Sequence, residues 1–354
     1  MLNSLENMSI SCNSKKILII KLASAGDVLR TTTLLSGLKK KYPYSHITWI
    51  VEELALELLE GNDSINRILV YSKKSVLLLN GEEFDIVISL DKAIEAASLA
   101  MSVRASEKYG FGLDKKGKLC PLNKEASYSY LLGIDDELKF FKNKKTYQEL
   151  IFETAKLNYQ NNPYELKLDK KHIDFADSFF KKNGLDKDDI VIGINTGAGR
   201  VFANKNLGKN RLVSLIELLC KELNVKIILL GGPFEKDIHK YIRKAMDGKV
   251  IDSGCDNSLK EFTALINNCG LIIAADTLAM HMAIALKKPV VALFGPTCAQ
   301  EIDLYNLGSK IITEAKCAPC YKNKCDKKQT CMDKISMEKV VESVKELMPT
   351  SRIA

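Results

Sequence analysis

Lys16-Ile17-Leu18-Ile19-Ile20-Lys21-Leu22 runs into Ala23-Ser24-Ala25-Gly26 and then into Asp27-Val28-Leu29-Arg30. A short apolar run bounded by small residues reads as a strand buried on both faces, as in a parallel sheet. The small residues form the turn. From Asp27 to about Lys41 the pattern is helical, with Val28, Leu34, Leu35 and Leu38 available for one face, and Pro43 ends it. The same strand–turn–helix rhythm continues through Ile47–Val51, Ile68–Tyr71 and Phe84–Leu90. Strands alternating with helices predict a doubly wound α/β domain.

Between about Lys108 and Lys145 the rhythm weakens. Lysines are dense and Gly110, Gly112 and Gly117 interrupt, so the segment is expected to form loops at the mouth of the first domain. A helix is expected from Thr146 to Asn158, and Asn161-Asn162-Pro163 opens a linker. A second series then starts. Ile190–Asn195, Val225–Leu230, Leu271–Ala275 and Pro289–Phe294 are apolar runs, most of them ending in small, turn-forming residues. A helix is expected between about Arg211 and Leu223. Ligands of doubly wound sheets bind outside the carboxyl ends of the strands, so the second domain gathers several ligand loops on one edge. The expected division is 1–165, 166–335 with a cysteine-rich segment 317–331, and a final helix and tail 336–354 that could pack on either domain.

The chain has 354 residues, 46% hydrophobic and 27% charged, which is ordinary globular composition and enough for two domains. Met1–Ser14 reads as a loose polar tail rather than a signal peptide, and no apolar run reaches the ~18 residues of a membrane span. A cytoplasmic location is therefore expected, with its ten cysteines kept reduced. The formal net charge of +8 is met equally by a solvated lysine surface and by an acidic partner, such as a phosphorylated glycolipid or the inner face of the cytoplasmic membrane. No nucleic-acid-binding signature is present, no Walker A motif, and no Gly-x-Gly-x-x-Gly opens the first helix.

Four constellations carry chemistry. In Ala25-Gly26-Asp27, glycine allows a tight turn or a close approach to a ligand. Asp27 is either an N-cap or a carboxylate able to act as general base on a sugar hydroxyl. In Asp276-Thr277-Leu278-Ala279-Met280-His281 a strand feeds a helix start, whose free N–H groups favour phosphate. His281 lies one turn in, facing the same ligand or packed in the core. Thr196-Gly197-Ala198-Gly199, with Arg200 and Lys205 after it, suits a diphosphate. Glu235, after Gly231-Gly232-Pro233-Phe234, could accept hydrogen bonds from a ribose or sugar, or sit in a solvated loop. Finally, Cys317, Cys320, Cys325 and Cys331 have the spacing C-x2-C-x4-C-x5-C, which reads as a tetrathiolate site for zinc or iron or as four free or redox-active thiols.

Together these stretches resemble glycosyltransferase family 9, the heptosyltransferases of the lipopolysaccharide pathway. The resemblance rests on Lys16–Thr33, Gly193–Gly199, Leu229–Glu235, and Ala275–His281 running to Val291-Ala-Leu-Phe-Gly-Pro-Thr297, and spans about Lys16 to Leu347. It implies a GT-B fold, two Rossmann-like domains facing across a cleft. It implies ADP-L-glycero-D-manno-heptose as donor, inversion at the anomeric carbon, and no metal or other cofactor required for catalysis. The implied acceptor is a lipopolysaccharide core of lipid A and Kdo. Alternatives are a protein O-heptosyltransferase acting on an autotransporter adhesin, or transfer from another ADP-sugar. A non-enzymatic alternative is a nucleotide-sugar-binding or redox-sensing protein built on the cysteine cluster. The resemblance makes Asp27 the base and puts Ser24, Gly26 and Arg30 on the acceptor side. It implies that Thr196, Gly197 and Lys205 bind diphosphate, that Glu235 holds the ribose, and that Asp276, Thr277 and His281 hold the heptose and phosphates. The four-cysteine stretch is similar to that of an autotransporter-modifying branch, which implies a metal there. Two departures stand out: Leu278 replaces the glycine usual after the Asp-Thr pair, and no tryptophan lies near Lys205.

Overall fold

The computed structural model describes residues 14–199 and 203–348; Arg200 and most of the expected N-terminal tail lie outside them. Two six-stranded sheets organise the chain. The first holds β1 (Lys16–Ile20), β2 (His46–Val51), β3 (Arg67–Val70), β4 (Glu83–Ser89), β5 (Arg104–Leu113) and β6 (Leu119–Pro121), in the order β3-β2-β1-β4-β5-β6. The second holds β7 (Val191–Asn195), β8 (Lys226–Leu230), β9 (Val250–Asp252), β10 (Leu271–Ala275), β11 (Val290–Phe294) and β12 (Gly308–Ile312), in the order β12-β11-β10-β7-β8-β9. Both sheets follow the same winding: three strands step outward one way, then the order reverses beside the first strand. Only β6 runs antiparallel among the described pairs. This is the doubly wound Rossmann-like arrangement expected, present twice.

The central strands are buried on both faces, so they could not alternate polar and apolar residues. Ile17–Ile20, Ile192 to Ile194 and Leu271–Ala275 all lie inside. The expected single helix after β1 is two: α1 (Ala25–Thr31) and α2 (Thr33–Lys41). Thr31, Thr32 and Thr33 each donate a side-chain hydrogen bond to a carbonyl three or four residues back, to Asp27, Leu29 and Arg30. Such back-bonding by β-branched residues competes with a regular helix. Helices α3 (Lys73–Asn80) and α4 (Ile94–Ser102) cover the other face.

The segment from Lys108 to Lys145 is more regular than expected. It completes β5, turns back as β6, and adds α5 (Ser127–Leu131) and a π turn at Leu138–Lys142. Helix α6 (Tyr147–Thr154) is shorter than predicted, and its N-terminus is a capping box of Thr146 and Glu149. After the crossover, α7 (Lys170–Lys182), unanticipated, packs on α10 (Leu259–Asn268) of the second half. Helices α8 (Lys209–Glu222), α9 (Lys236–Met246) and α11 (Leu278–Ala285) complete that half. The last helix, α12 (Met337–Leu347), lies on α8, β11 and β12, so it belongs with the second sheet.

Candidate active site

The order of each sheet reverses at one place: between β1 and β4, and between β7 and β10. Loops leaving adjacent strands at such a point diverge, and a crevice forms there. The two crevices face each other in one cleft of ≈ 850 Å³. Its first wall carries Ser24, Gly26, Asp27 and Arg30, and its second carries Gly197, Lys205, Asp276, Thr277 and His281.

Asp27 is not the N-cap of α1. Ser24 holds that position, and Asp27 stands in the first turn with its side chain turned to cations. Arg30 Nη2 lies 2.7 Å from Oδ1, Lys21 Nζ lies 3.9 Å from Oδ2, and Ser24 Oγ donates to Oδ2 at 3.3 Å. Burial pushes the Asp27 carboxyl up, but Arg30, then Lys21 and His281, outweigh it and hold the group well below the usual carboxylate range. Arg30 is itself fixed by stacking on Tyr147, its guanidinium 3.6 Å from the ring centre. Lys21 is anchored by an ion pair with Asp91 at the end of β4.

Across the cleft, His281 is buried. Its Nδ1 lies 3.4 Å from the Tyr164 hydroxyl and its Nε2 3.9 Å from Asp276 Oδ1. Burial, then Arg30, pull the imidazole down to about 4, so the ring is neutral at pH 7. A Cβ on Gly26 would stand 2.8 Å from His281 Cδ2. Gly26 is helical, so its lack of a side chain serves this close approach of the two halves rather than a turn. Lys205 Nζ donates to both Oδ2 and the carbonyl of Asp276, each at 3.0 Å. Burial pushes the Asp276 carboxyl up, while Lys205 and His281 bring it below its ordinary value. Asn195 Nδ2 donates to Thr277 Oγ1 at 3.2 Å, tying the end of β7 to the start of α11.

Two predicted residues stand behind the wall rather than on it. The Thr196 hydroxyl is buried, donating to Leu230 O at 3.2 Å and meeting His239 Nε2 at 2.9 Å, while His239 Nδ1 lies 2.6 Å from Asp252 Oδ1. The Glu235 carboxylate is buried as well. It accepts from the Gly232 amide at 2.9 Å and fills the space beside Gly197, where a Cβ would fall 2.0 Å from its Oε1. Both therefore shape the loops after β7 and β8 from within. Lys21, Asp91, His239 and Asp252 escaped the sequence reading. The first two are detectable as polar residues ending apolar strands beside a reversal point; the second pair has no local signature.

The four cysteines do not present the metal site that the spacing suggested. Among the described residues no group of three or more His, Cys, Asp or Glu side chains is placed to hold a metal ion. Cys317 is exposed, its thiol drawn below the usual value by a hydrogen bond with Lys327. Cys331 is buried, its thiol pushed up to about 11 by burial and then by the other three cysteines. The loop instead delivers Tyr321 to the cleft.

The family model of glycosyltransferase family 9 (heptosyltransferase) matches residues 76–331, well over half of the chain. The chain belongs to glycosyltransferase family 9. It is a glycosyltransferase, and its α/β architecture is GT-B. Lipopolysaccharide heptosyltransferase 1 of Campylobacter coli is 25% identical, the match covering 94% of this chain and 98% of the relative. A family 9 glycosyltransferase of Veillonella parvula superposes with a TM-score of 0.75 at 22% identity, covering 94% of this chain and 97% of the other. The ADP-heptose heptosyltransferase II of Escherichia coli superposes with a TM-score of 0.67 at 18% identity, covering 94% and 98%. No helix of the described residues is long and apolar enough to cross a membrane.

Proposed function

We propose that this family 9 enzyme moves a heptose from ADP-L-glycero-D-manno-heptose to a lipid A–Kdo acceptor of the lipopolysaccharide core, with inversion at the anomeric carbon. Residues 1–165 form the acceptor half and residues 166–335 the donor half. The observation that carries the reading is the placement of Asp27 opposite the Asp276–His281 helix start, each at the reversal point of its own sheet.

The donor diphosphate lies against the Gly197 loop, Lys205 and the amides that open α11. The acceptor hydroxyl approaches the anomeric carbon from the Asp27 side. As the new carbon–oxygen bond forms, the bond to the diphosphate breaks through an oxocarbenium-like transition state. Asp27 Oδ2 takes the hydroxyl proton. A carboxylate held at so low a pKa is a weak base for a free alcohol. It is strong enough for an alcohol oxygen already bonding to a cationic carbon, because that oxygen is far more acidic, so the proton moves late. Negative charge grows on the departing ADP, where Lys205 and the helix start of α11 offset it. His281, neutral, is positioned to hold a sugar hydroxyl between the two walls.

The test is a donor screen with mass-spectrometric detection of the acceptor. Addition of one heptosyl residue from ADP-heptose, lost in Asp27→Asn with ADP binding retained, is the expected result. Near-normal turnover by Asp27→Asn would remove the base assignment. Labelling of a protein acceptor instead of the glycolipid, or use of another ADP-sugar, would overturn the substrate assignment.

A further inference from the structure

Residues 108–145 hold nine lysines against five acids, a formal +4, half of the chain's net +8 in about a tenth of its length. The same segment exposes large apolar side chains. Ile134 is 65% and Phe141 64% exposed, with Leu131 nearby also outside. Ile94, at the start of α4, is 53% exposed and belongs to the same surface, because its neighbour Lys92 donates to Ser129 O and lies against Gly133.

The placement of this surface is set by the first sheet. The last residue of β4, Ser89, pairs with Gly110, so β5 continues past the carboxyl edge of its neighbour before turning back as β6. The hairpin tip, with Lys115, Lys116 and Lys118 exposed, therefore projects from the edge on which the cleft opens. Gly133 and Lys139 of the following segment line the cleft. The apolar tips and lysines thus surround the mouth of the first half. Ion pairs of Glu137 with Lys142 and of Glu153 with Lys145 neutralise part of the charge, while the hairpin lysines and Lys144 add to it.

We propose that this surface, the β5–β6 tip together with residues 131–145 and Ile94, docks the enzyme on an anionic lipid bilayer with the cleft opening toward the headgroups. Separate apolar tips interleaved with ammonium groups suit a headgroup layer. There, Ile and Phe enter the acyl boundary while lysines stay at the phosphates. A polybasic surface is attracted to an anionic leaflet within a Debye length, and the charge found here is of the complementary sign. The choice of a bilayer as occupant rests in part on the glycolipid acceptor proposed above; a lipid-anchored acceptor could then enter the cleft without leaving its membrane.

Vesicle flotation of the full chain tests this without any sugar substrate, so its failure is separable from failure of the transferase reading. The protein floats with vesicles of phosphatidylcholine mixed with phosphatidylglycerol, does not float with phosphatidylcholine alone, and is released by high salt. Ile134→Ser combined with Phe141→Ser lowers the bound fraction about tenfold, as does Lys115→Glu combined with Lys116→Glu. Transfer to a soluble, delipidated acceptor is unchanged in both. Leu77→Ser with Leu78→Ser, exposed on α3, leaves flotation intact. Flotation that ignores lipid charge, or that survives both loop variants, overturns the proposal. Self-association of the purified chain that Ile134→Ser with Phe141→Ser abolishes would assign the surface to a second copy instead.

Discussion

Arg30 controls the acid strength of Asp27, and its replacement by glutamine should move the acid limb of the pH–rate profile upward. The guanidinium stands 2.7 Å from Oδ1 and is the strongest of the influences holding the carboxyl down. A unit charge pair about 4 Å apart interacts by about 4 kcal/mol at an effective dielectric of 20. The Asp27 side chain is one-third exposed, which screens part of that. An opposite charge at this range lowers a carboxyl by about 1–3 units, so losing it should raise the limb by about 1–2. The sign follows from the reaction: the base must be ionised, so a higher pKa removes activity at a higher pH. In the wild type, with Asp27 well below the usual range and His281 at about 4, kcat/KM should stay level from pH 8 down to about pH 5. In Arg30→Gln, burial is opposed by the more distant Lys21, by His281 and by the Ser24 hydrogen bond, so the limb should rise toward the ordinary carboxylate range and a fall should appear below about pH 4. The assay is ADP release at subsaturating acceptor across that range. Arg30→Lys keeps a charge and should shift the limb less. A profile for Arg30→Gln that overlays the wild type would refute the assignment of Asp27 as the titrating base.

Lys205→Met should lower kcat/KM by about 10²–10³, the cost of removing one preorganised stabiliser of developing charge, and weaken ADP in calorimetry. A loss under tenfold would take Lys205 out of the diphosphate site. Gly197→Ala forces a methyl into the Glu235 carboxylate, an overpacking cost of about 1–3 kcal/mol. Its melting temperature should fall and recover partly when Glu235→Ala is added; an unchanged melting temperature would mean the loop yields freely. His239→Phe removes one hydrogen-bond partner each from the Thr196 hydroxyl, which keeps Leu230 O, and from the Asp252 carboxylate, which keeps the Gly254 amide; two net hydrogen bonds should cost about 1–3 kcal/mol in denaturant titration. It should raise the donor KM more than it lowers kcat. A variant as stable as wild type would show that the pair is solvated rather than structural.

What could be read from the chain follows from burial. Strands covered on both faces must be apolar throughout, so the runs at Lys16–Ile20, Val191–Asn195 and Leu271–Ala275 declare themselves. Edge elements carry a weaker mark. The first half of β5 is largely exposed and its second half carries Gly110-Phe111-Gly112, and β12 begins Gly-Ser-Lys, so both pass for loop. Helix α7 buries only Ala176 fully and is otherwise half wet, which hides it in what reads as linker. The candidate site divides the same way. Residues at strand ends are visible because the fold puts ligands there, and most of those named from the sequence do line the cleft. The inward orientation of Thr196 and Glu235 is not visible. It depends on His239 and on the missing Cβ of Gly197, which reach them through space.

Gly26 links these two levels. As sequence it offers a turn or a close approach, and nothing local decides between them. The structure removes the first, since Gly26 is helical, and fills its missing side chain with His281, a residue 255 positions later in the chain. The glycine is therefore a contact between halves: it lets α1 and α11 meet closely enough for Asp27, Arg30 and His281 to share one field. Arg30 and then Lys21 keep Asp27 ionised, while burial and then Arg30 keep His281 neutral at the same pH. Asp27 takes its strongest cations, Arg30 and Lys21, from its own half, whereas His281 meets Arg30 across the cleft. The base and its main cations are local to the first half, while the histidine beside them arrives only through the fold, and a single sequence can supply these parts without revealing that they meet.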